Sequence, residues 1–208
     1  MKEALLVDYG GVLTTSVLES FVAFCEREDI QFAHFKDVVL GAARTADSPF
    51  ARIEIGAMDQ VEFDEAVASL LTAACGRPIA SADLKQRLFA NIRPDDLMID
   101  AVRTARASGV RTALLSNSWG GRDYPRDRFD ELFDAVVISG EVGLRKPDAE
   151  IYALTADKLG LAPAACVFVD DFPGNVTGAE AAGMTGVLHR DAAQTIPLLE
   201  GLFERPLR

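Results

Sequence analysis

Five short apolar runs recur along this chain of 208 residues. Such uninterrupted runs are typical of strands in a parallel sheet that is covered on both faces. The runs are Ala4–Val7, Thr112–Leu115, Ala135–Ile138, Cys166–Val169 and Thr185–Leu188. Helical patterns lie between them, at Leu97–Ser108, from Pro147 to Leu159 and at Gly174–Ala182. This alternation of strand and helix predicts an α/β fold with a doubly wound parallel sheet.

Residues 16–93 follow a different pattern. They contain no convincing strand, and their apolar residues, such as Phe21, Phe24, Phe63 and Val67, recur at helical spacing. Turn signals divide this segment into about four helices. Because the segment lies between the first and second strands, we predict a helical cap domain at 16–93, inserted into an α/β core of residues 1–15 and 94–208.

Composition excludes several classes of function. The formal charge of -11 argues against nucleic acid and anionic membranes as partners, because both require a basic surface. No apolar stretch reaches the roughly 18 residues of a membrane span. We expect no signal peptide, because the segment after Met1-Lys2-Glu3 lacks the long apolar stretch and the small-residue cleavage site of one. The cysteines, Cys25, Cys75 and Cys166, are odd in number and scattered, which favours reduced, mostly buried thiols. We therefore predict a cytoplasmic protein.

Acidic residues follow two of the apolar runs. Asp8 comes directly after the first run, ahead of Gly10-Gly11, and Asp170 and Asp171 close the fourth. Ligands of open α/β sheets bind at the carboxyl ends of the strands. A carboxylate there suits attack on phosphorus or on a strained carbon. If the first and fourth strands are neighbours, three carboxylates converge, and their hard oxygen atoms favour Mg²⁺. Alternatively, Asp170-Asp171 forms only the turn that caps the next helix.

Two further polar sites lie in similar places. Ser116 and Asn117 follow the second run, and Lys146 stands before proline in a loop. In one site with Asp8, the hydroxyl and nearby amides would receive phosphoryl oxygens, and the lysine would neutralise charge. The alternatives are an ordinary turn at Ser116-Asn117 and a solvated surface lysine.

Four segments of the chain resemble the motifs of the haloacid dehalogenase (HAD) superfamily, in the order that the superfamily has them. They are Asp-x-Gly-Gly-Val-Leu at 8–13, Ser-Asn-Ser-Trp at 116–119, Gly-Leu-Arg-Lys-Pro-Asp at 143–148 and Val-Phe-Val-Asp-Asp at 167–171. They are similar in particular to the capped phosphatases, which include the N-terminal domain of mammalian soluble epoxide hydrolase and bacterial sugar-phosphate phosphatases. The motifs are specific for the superfamily and only weakly specific for a substrate.

The resemblance implies a HAD-like Rossmannoid core, with the first strand central between the fourth and second, and a cap of type C1. It implies that Asp8 attacks phosphorus and forms an aspartyl-phosphate. Ser116 and Lys146 would bind the phosphoryl oxygens, and Lys146 would also orient Asp8.

The ligand sets also follow from the resemblance. The implied ligands of Mg²⁺ are Asp8, the backbone carbonyl of Gly10, Asp171, and Asp170 either directly or through water. The implied substrate-binding residues are Gly10, Gly11, Asn117 and Trp119. Trp119 could equally be an aromatic residue of the core or the pocket rim. The partner would be a small phosphorylated metabolite.

Gly10 departs from the pattern of the superfamily. Most of its phosphatases carry a second aspartate there, as general acid for the leaving group and base for the attacking water. Such proton transfer typically contributes about 10²–10⁴-fold. We therefore expect slow turnover, a preference for leaving groups that need little protonation, or help from water or a cap residue. A sugar 1-phosphate or an acyl phosphate would suit the second option.

Two alternative functions remain at this point. A 2-haloacid dehalogenase would use no metal, and such enzymes have an aromatic residue at the position of Gly10 and lack the acidic pair Asp170-Asp171. A non-catalytic protein that binds a phosphorylated ligand would keep the pocket without efficient hydrolysis, and only Gly10 supports that hypothesis.

Substrate choice is expected to depend on the cap. The candidates, by position only, are Arg44, Phe50, Arg52 and Glu54. His34 and His189 show no pairing and are predicted to be structural or surface residues, and residues 120–125 are predicted to be a flexible loop. The sequence is compatible with a monomer or a homodimer.

Overall fold

Five parallel strands form one sheet in the order β3-β2-β1-β4-β5. The computed structural model describes residues 2–43, 47–119 and 124–208, with only the backbone for 40–43. The strands are β1 (Ala4–Val7), β2 (Arg111–Ser116), β3 (Ala135–Ile138), β4 (Cys166–Asp170) and β5 (Thr185–Leu188). Each predicted run is a strand, and β1 lies between β4 and β2 as predicted, so the doubly wound α/β fold is confirmed.

Eleven α-helices connect and cover the strands within the described residues. They are α1 (Val17–Arg27), α2 (Phe32–Ala43), α3 (Pro49–Glu54), α4 (Gln60–Cys75), α5 (Leu84–Leu88), α6 (Asp96–Ala107), α7 (Phe129–Leu132), α8 (Ser139–Val142), α9 (Ala149–Leu159), α10 (Pro173–Ala181) and α11 (Ala192–Phe203). The three helices predicted between the strands are α6, α9 and α10, each within two residues of its expected bounds.

Alternation along the central strand places apolar side chains on both faces of the sheet. Leu5 and Val7 belong to one buried cluster, with residues of α6 and α11. Ala4 and Leu6 belong to another, with residues of α9 and α10. Both faces are therefore covered, which explains why the strand sequences are continuously apolar. Only the ends of the strands are left for polar side chains.

Local signals begin and end the helices. At α4, the side chain of Asp59 accepts a hydrogen bond from Glu62 N, the Glu62 side chain accepts one from Asp59 N, and Gly76 ends the helix in the left-handed region. Helix α11 was not predicted; it contains Pro197, a residue that normally disrupts a helix interior. Asp191 caps its first turn.

Helices α1–α5 all lie between β1 and β2 in the chain, one more than the approximate prediction. They enclose a buried apolar cluster of their own, which includes Phe24, Phe63 and Leu71. The two segments that join them to the core run side by side, since Thr15 N donates to the Arg93 carbonyl at 2.8 Å. The domain boundaries at 15/16 and 93/94 stay a prediction.

The described residues contain no helix with the length and hydropathy needed to cross a membrane. The three cysteines are free thiols, of which Cys25 and Cys166 are buried. Their positions agree with the prediction of mostly buried thiols.

Candidate active site

Two neighbouring strands bring the predicted acidic residues together. Asp8 directly follows β1, and Asp170 is the last residue of β4, which pairs with β1 in parallel. Carboxylate oxygens of Asp8, Asp170 and Asp171 all lie within 4.8 Å of one another. The expected convergence of three carboxylates is therefore present, and Asp170-Asp171 is more than a helix-capping turn.

Lys146 reaches this cluster from the loop between α8 and α9. Its Nζ lies 2.9 Å from Asp8 Oδ1 and 2.6 Å from Asp170 Oδ2. The side chain is only 1% exposed. Lys146 is therefore a buried ion-pair partner of two site carboxylates, and the alternative of a solvated surface lysine is wrong.

Asp170 is held by more than this ion pair. Its Oδ1 accepts a hydrogen bond from Phe172 N at 2.8 Å, and both of its oxygens lie within 3.1 Å of Asn175 Nδ2. Sequence analysis did not identify Asn175. The available signal was its place in the first turn of α10, five residues after Asp170. These contacts fix the carboxylate that orients Lys146.

The charges in this cluster do not balance. Burial raises the pKa of Asp8 to about 6, opposed by Lys146 and assisted by Asp170. Burial, followed by the charges of Asp8 and Asp170, raises the pKa of Asp171 to about 7. Burial alone would lower the pKa of Lys146, but Asp8 and Asp170 outweigh it and hold that pKa above its ordinary value. When all are ionised, three carboxylates face one ammonium group.

The donor set fits a hard divalent cation. Asp8 Oδ1 is buried, and the ammonium of Lys146, 2.9 Å away, neutralises its charge only in part. Two uncompensated negative charges and closely spaced carboxylate oxygens are the chemistry that Mg²⁺ binds. At Gly11, which has a φ of +76°, an added Cβ would lie 2.2 Å from Asp171 Oδ2. Glycine at position 11 therefore lets this carboxylate approach the turn.

Ser116 and Asn117 lie at the end of β2 beside this cluster. The Tyr124 hydroxyl donates to Ser116 Oγ at 3.0 Å, a partner that sequence analysis did not identify. Asn117 Oδ1 accepts from Lys146 N at 2.9 Å, and Asn117 Nδ2 donates to the Lys146 carbonyl at 3.1 Å. The Asn117 amide thus fastens the lysine loop to β2, and its substrate-binding role stays a prediction.

Trp119 connects the core to the cap helices. Its ring packs against the rings of Phe21, Phe50, Phe63 and Phe89 at centroid distances of 5.2–5.8 Å. Its Nε1 donates to Glu54 Oε1 at 3.2 Å. Of the two sequence interpretations, packing as a core aromatic residue describes these contacts, and substrate contact stays a prediction.

The cap candidates differ in their surroundings. Glu54 Oε2 forms an ion pair with Arg145 at 3.0 Å, and Phe50 is buried. Arg52 donates to the Ala57 carbonyl at 3.2 Å. Arg44 lies outside the described residues, as do residues 120–123 of the predicted loop.

The remaining predicted residues lie elsewhere. His189 is buried, and its Nδ1 lies 2.9 Å from Thr195 Oγ1, in agreement with a structural role. His34 is half-buried. At Gly10, an added Cβ would lie 3.0 Å from Val17 Cγ2. The position of the missing second aspartate is therefore bordered by the first cap helix.

The sequence has clear relatives. Bifunctional epoxide hydrolase 2 of Rattus norvegicus is 32% identical over 110 residues, which are 50% of this chain and 20% of that protein. Phosphoserine phosphatase of Thermus thermophilus is 33% identical over 126 residues, 56% of this chain and 50% of that protein. The matches span half the length of these relatives or less.

Solved structures share the fold. A HAD family enzyme from Bacteroides thetaiotaomicron, in complex with magnesium and inorganic phosphate, superposes with a TM-score of 0.65 at 19% identity, over 91% of this chain and 95% of the other. L-2-haloacid dehalogenase from Xanthobacter autotrophicus gives a TM-score of 0.61 at 21% identity, over 96% of this chain and 83% of the other. At such identities the likeness concerns the fold alone.

The family itself follows from a match over most of the chain. Residues 2–183 match the family model described as haloacid dehalogenase-like hydrolase. The match includes Asp8, Ser116, Lys146 and the Asp170-Asp171 pair, the residues whose geometry is given above. The chain belongs to the haloacid dehalogenase-like hydrolases.

Proposed function

We propose that this protein is a Mg²⁺-dependent phosphatase that hydrolyses a small phosphorylated metabolite through an aspartyl-phosphate on Asp8. One observation carries the proposal. Asp8 lies 2.9 Å from the buried ammonium of Lys146 and within 4.8 Å of two further carboxylates. This cluster combines an attacking carboxylate with positive charge for the transferred group and with oxygen ligands for a cation.

The chemistry proceeds in two steps. In the first, a carboxylate oxygen of Asp8 attacks phosphorus, the bond from phosphorus to the leaving oxygen breaks, and that oxygen takes a proton from water. In the second, water attacks the phosphorus of the aspartyl-phosphate, the bond from phosphorus to the Asp8 oxygen breaks, and the attacking water gives its proton to the hydroxide left by the first step. Inorganic phosphate is released, and the Asp8 carboxylate is restored. Lys146 stabilises the phosphoryl oxygens in both steps, and Ser116 donates a hydrogen bond to them.

Mg²⁺ would be held by Asp8, Asp170, Asp171 and the Gly10 carbonyl, and when bound it neutralises charge between these carboxylates and the phosphoryl group. The phosphatase name of the Thermus relative supports this assignment. The magnesium and phosphate in the Bacteroides structure support it as well. A metal-free haloacid reaction is disfavoured, because the carboxylates of Asp8, Asp170 and Asp171 would repel the anionic carboxyl group of the substrate if no cation were bound.

Hydrolysis of p-nitrophenyl phosphate tests the proposal. We expect activity with Mg²⁺ and its loss with EDTA. Position 10 offers no acid to protonate the leaving group. We therefore expect kcat/KM for an alkyl phosphate such as glycerol phosphate to be at least about 10²-fold lower than for the aryl ester. No chloride should be released from 2-chloropropionate. Chloride release without metal would support a dehalogenase instead, and absence of any hydrolysis would support a non-catalytic binding protein.

Magnesium is expected to stabilise the protein more at pH 8 than at pH 5. The pKa values of Asp8 and Asp171 are raised to about 6 and about 7. The stability that these carboxyls contribute is therefore full below about pH 4 and is lost as the pH rises to 7. At pH 8 both are ionised and bind Mg²⁺, whereas at pH 5 protons compete. At 100 times Kd, binding adds about 2.7 kcal/mol, or roughly 5–10 °C in Tm.

Thermal unfolding with and without Mg²⁺ at the two pH values measures this difference. Asp171→Asn should abolish the shift at pH 8. Asp157→Asn, which changes an exposed aspartate of α9, serves as the matched control and should retain it. An equal shift at both pH values would contradict binding at this cluster.

A further inference from the structure

Glu54 is a cap residue whose carboxylate contacts two core loops at once. Its Oε1 accepts a hydrogen bond from Trp119 Nε1 at 3.2 Å, and its Oε2 lies 3.0 Å from Arg145. The Glu54 side chain is 15% exposed and that of Arg145 is 28% exposed. Both contacts are therefore largely shielded from water, where an ion pair is stronger than at an exposed surface.

Each contacted residue lies close in sequence to a phosphoryl-binding candidate. Trp119 is three residues after Ser116, and Arg145 directly precedes Lys146. Asn117 already links these two loops through its hydrogen bonds to the Lys146 backbone. The Glu54 carboxylate thus connects the cap to the same two loops.

The backbone around Glu54 is fitted to the core as well. The Ser139 hydroxyl donates to the Glu54 carbonyl. An added Cβ at Gly56, which has a φ of +74°, would lie 2.5 Å from the Gly140 carbonyl oxygen. The end of α3 therefore packs directly on the start of α8. This backbone contact fixes the position of Glu54 relative to the core.

The charges near Asp8 reach this carboxylate. Burial raises the pKa of Glu54. The charges of Arg145 and Lys146 and the hydrogen bond from Trp119 oppose this increase, and the charge of Asp8 adds to it. Glu54 is therefore close enough to the site to be affected by the charges of the proposed nucleophile and of its lysine.

We propose that Glu54 is a positioning residue, which holds Arg145 and Trp119 and thereby sets the geometry of Lys146 and Ser116 when the cap is docked. The inference rests on the proposed phosphatase function. Glu54 does not touch the reacting atoms, and it acts through the two loops. Since an error of about 1 Å in a catalytic group can cost about 10²-fold in rate, loss of the ion pair should reduce kcat by about tenfold.

Glu54→Gln isolates the charge. Its amide oxygen can still accept from Trp119, while the ion pair with Arg145 is lost. Glu28→Gln is the matched control, because Glu28 pairs with Arg87 at 2.7 Å with side-chain exposures of 24% and 26%, and the pair contacts neither loop in the described structure. Both variants should lower Tm slightly. Only Glu54→Gln should lower kcat on p-nitrophenyl phosphate, by about tenfold.

Two further readouts do not depend on turnover. Calorimetry with Mg²⁺ and inorganic phosphate should show about tenfold weaker phosphate binding for Glu54→Gln and unchanged binding for Glu28→Gln. Trp119 is the only tryptophan of the chain, so its fluorescence reports directly on the contact. Glu54→Leu should shift the emission maximum, and Glu54→Gln should leave it nearly unchanged.

A double-mutant cycle tests the route through Arg145. If Glu54 acts through this residue, Glu54→Gln combined with Arg145→Met should lose about as much kcat as either single change, instead of the product of the two losses. Glu54→Gln that matches Glu28→Gln in kcat and in phosphate affinity would overturn the inference. If the wild-type protein hydrolyses no phosphate ester, the proposed function fails, while phosphate affinity still decides the role of Glu54.

Discussion

Asp8→Asn is expected to reduce the hydrolysis of p-nitrophenyl phosphate by at least about 10⁴-fold, because the nucleophile is lost and an amide does not replace it. The change keeps the size of the side chain. Lys146 keeps its second partner, Asp170, at 2.6 Å. The rate should therefore fall without rearrangement of the cluster.

The same variant is expected to stay folded. Burial and the neighbouring Asp170 make ionisation of Asp8 costly in the metal-free protein, so a neutral side chain removes a repulsion. In EDTA at pH 8, the free energy of unfolding should equal or exceed that of the wild type. Activity assays measure the loss of hydrolysis, and circular dichroism and urea unfolding measure the retained fold and stability. Asp157→Asn is the control. An active Asp8→Asn protein would reject Asp8 as the nucleophile.

Lys146→Met is expected to give the largest loss of stability of any change at this site. The lysine side chain is 1% exposed and lies between Asp8 and Asp170. Its removal leaves buried carboxylates without their cation, which typically costs roughly 3–5 kcal/mol. For a chain of this length, the loss corresponds to a fall in Tm of roughly 10 °C. Phosphatase activity should fall as well.

The loss is expected to depend on pH. Lys146 opposes the increase in the pKa of Asp8. Without this lysine the pKa of Asp8 rises further, so the variant loses more stability as the pH increases from 5 to 8. Urea unfolding in EDTA at both pH values measures the difference. Lys158→Met, which changes an exposed lysine of α9, should be nearly neutral. A loss for Lys146→Met that is equal at pH 5 and pH 8 would contradict the electrostatic explanation.

The strands and the acidic ends of the strands could be read from sequence because each is a local pattern. A strand buried on both faces, such as Ala4–Val7, must be apolar throughout. Polar residues directly after such runs, such as Asp8 and Asp171, then fall at one edge of a parallel sheet. Helix α11 was missed because tertiary packing of residues such as Ile196 and Leu199 outweighs the local effect of Pro197.

The contacts around the candidate site were harder to predict from the sequence. Tyr124 on Ser116, Asn175 on Asp170 and Glu54 on Arg145 are pairs of ordinary polar residues. Apart from the place of Asn175, five residues after Asp170, no spacing or motif in the sequence distinguishes them from surface side chains. The burial of Lys146 was equally hard to predict, since a lysine beside proline in a loop is usually solvated.

Taken alone, the order of residues determined the α/β architecture, the identity of the acidic groups and their place at the strand ends, because burial and chain direction act on neighbouring residues. The tertiary structure decided which side chains meet. It placed the Lys146 ammonium between two carboxylates and brought Glu54 of the cap onto the core loops. Charges on residues that are tens of positions apart in sequence interact strongly only after folding has brought them within a few ångströms of one another.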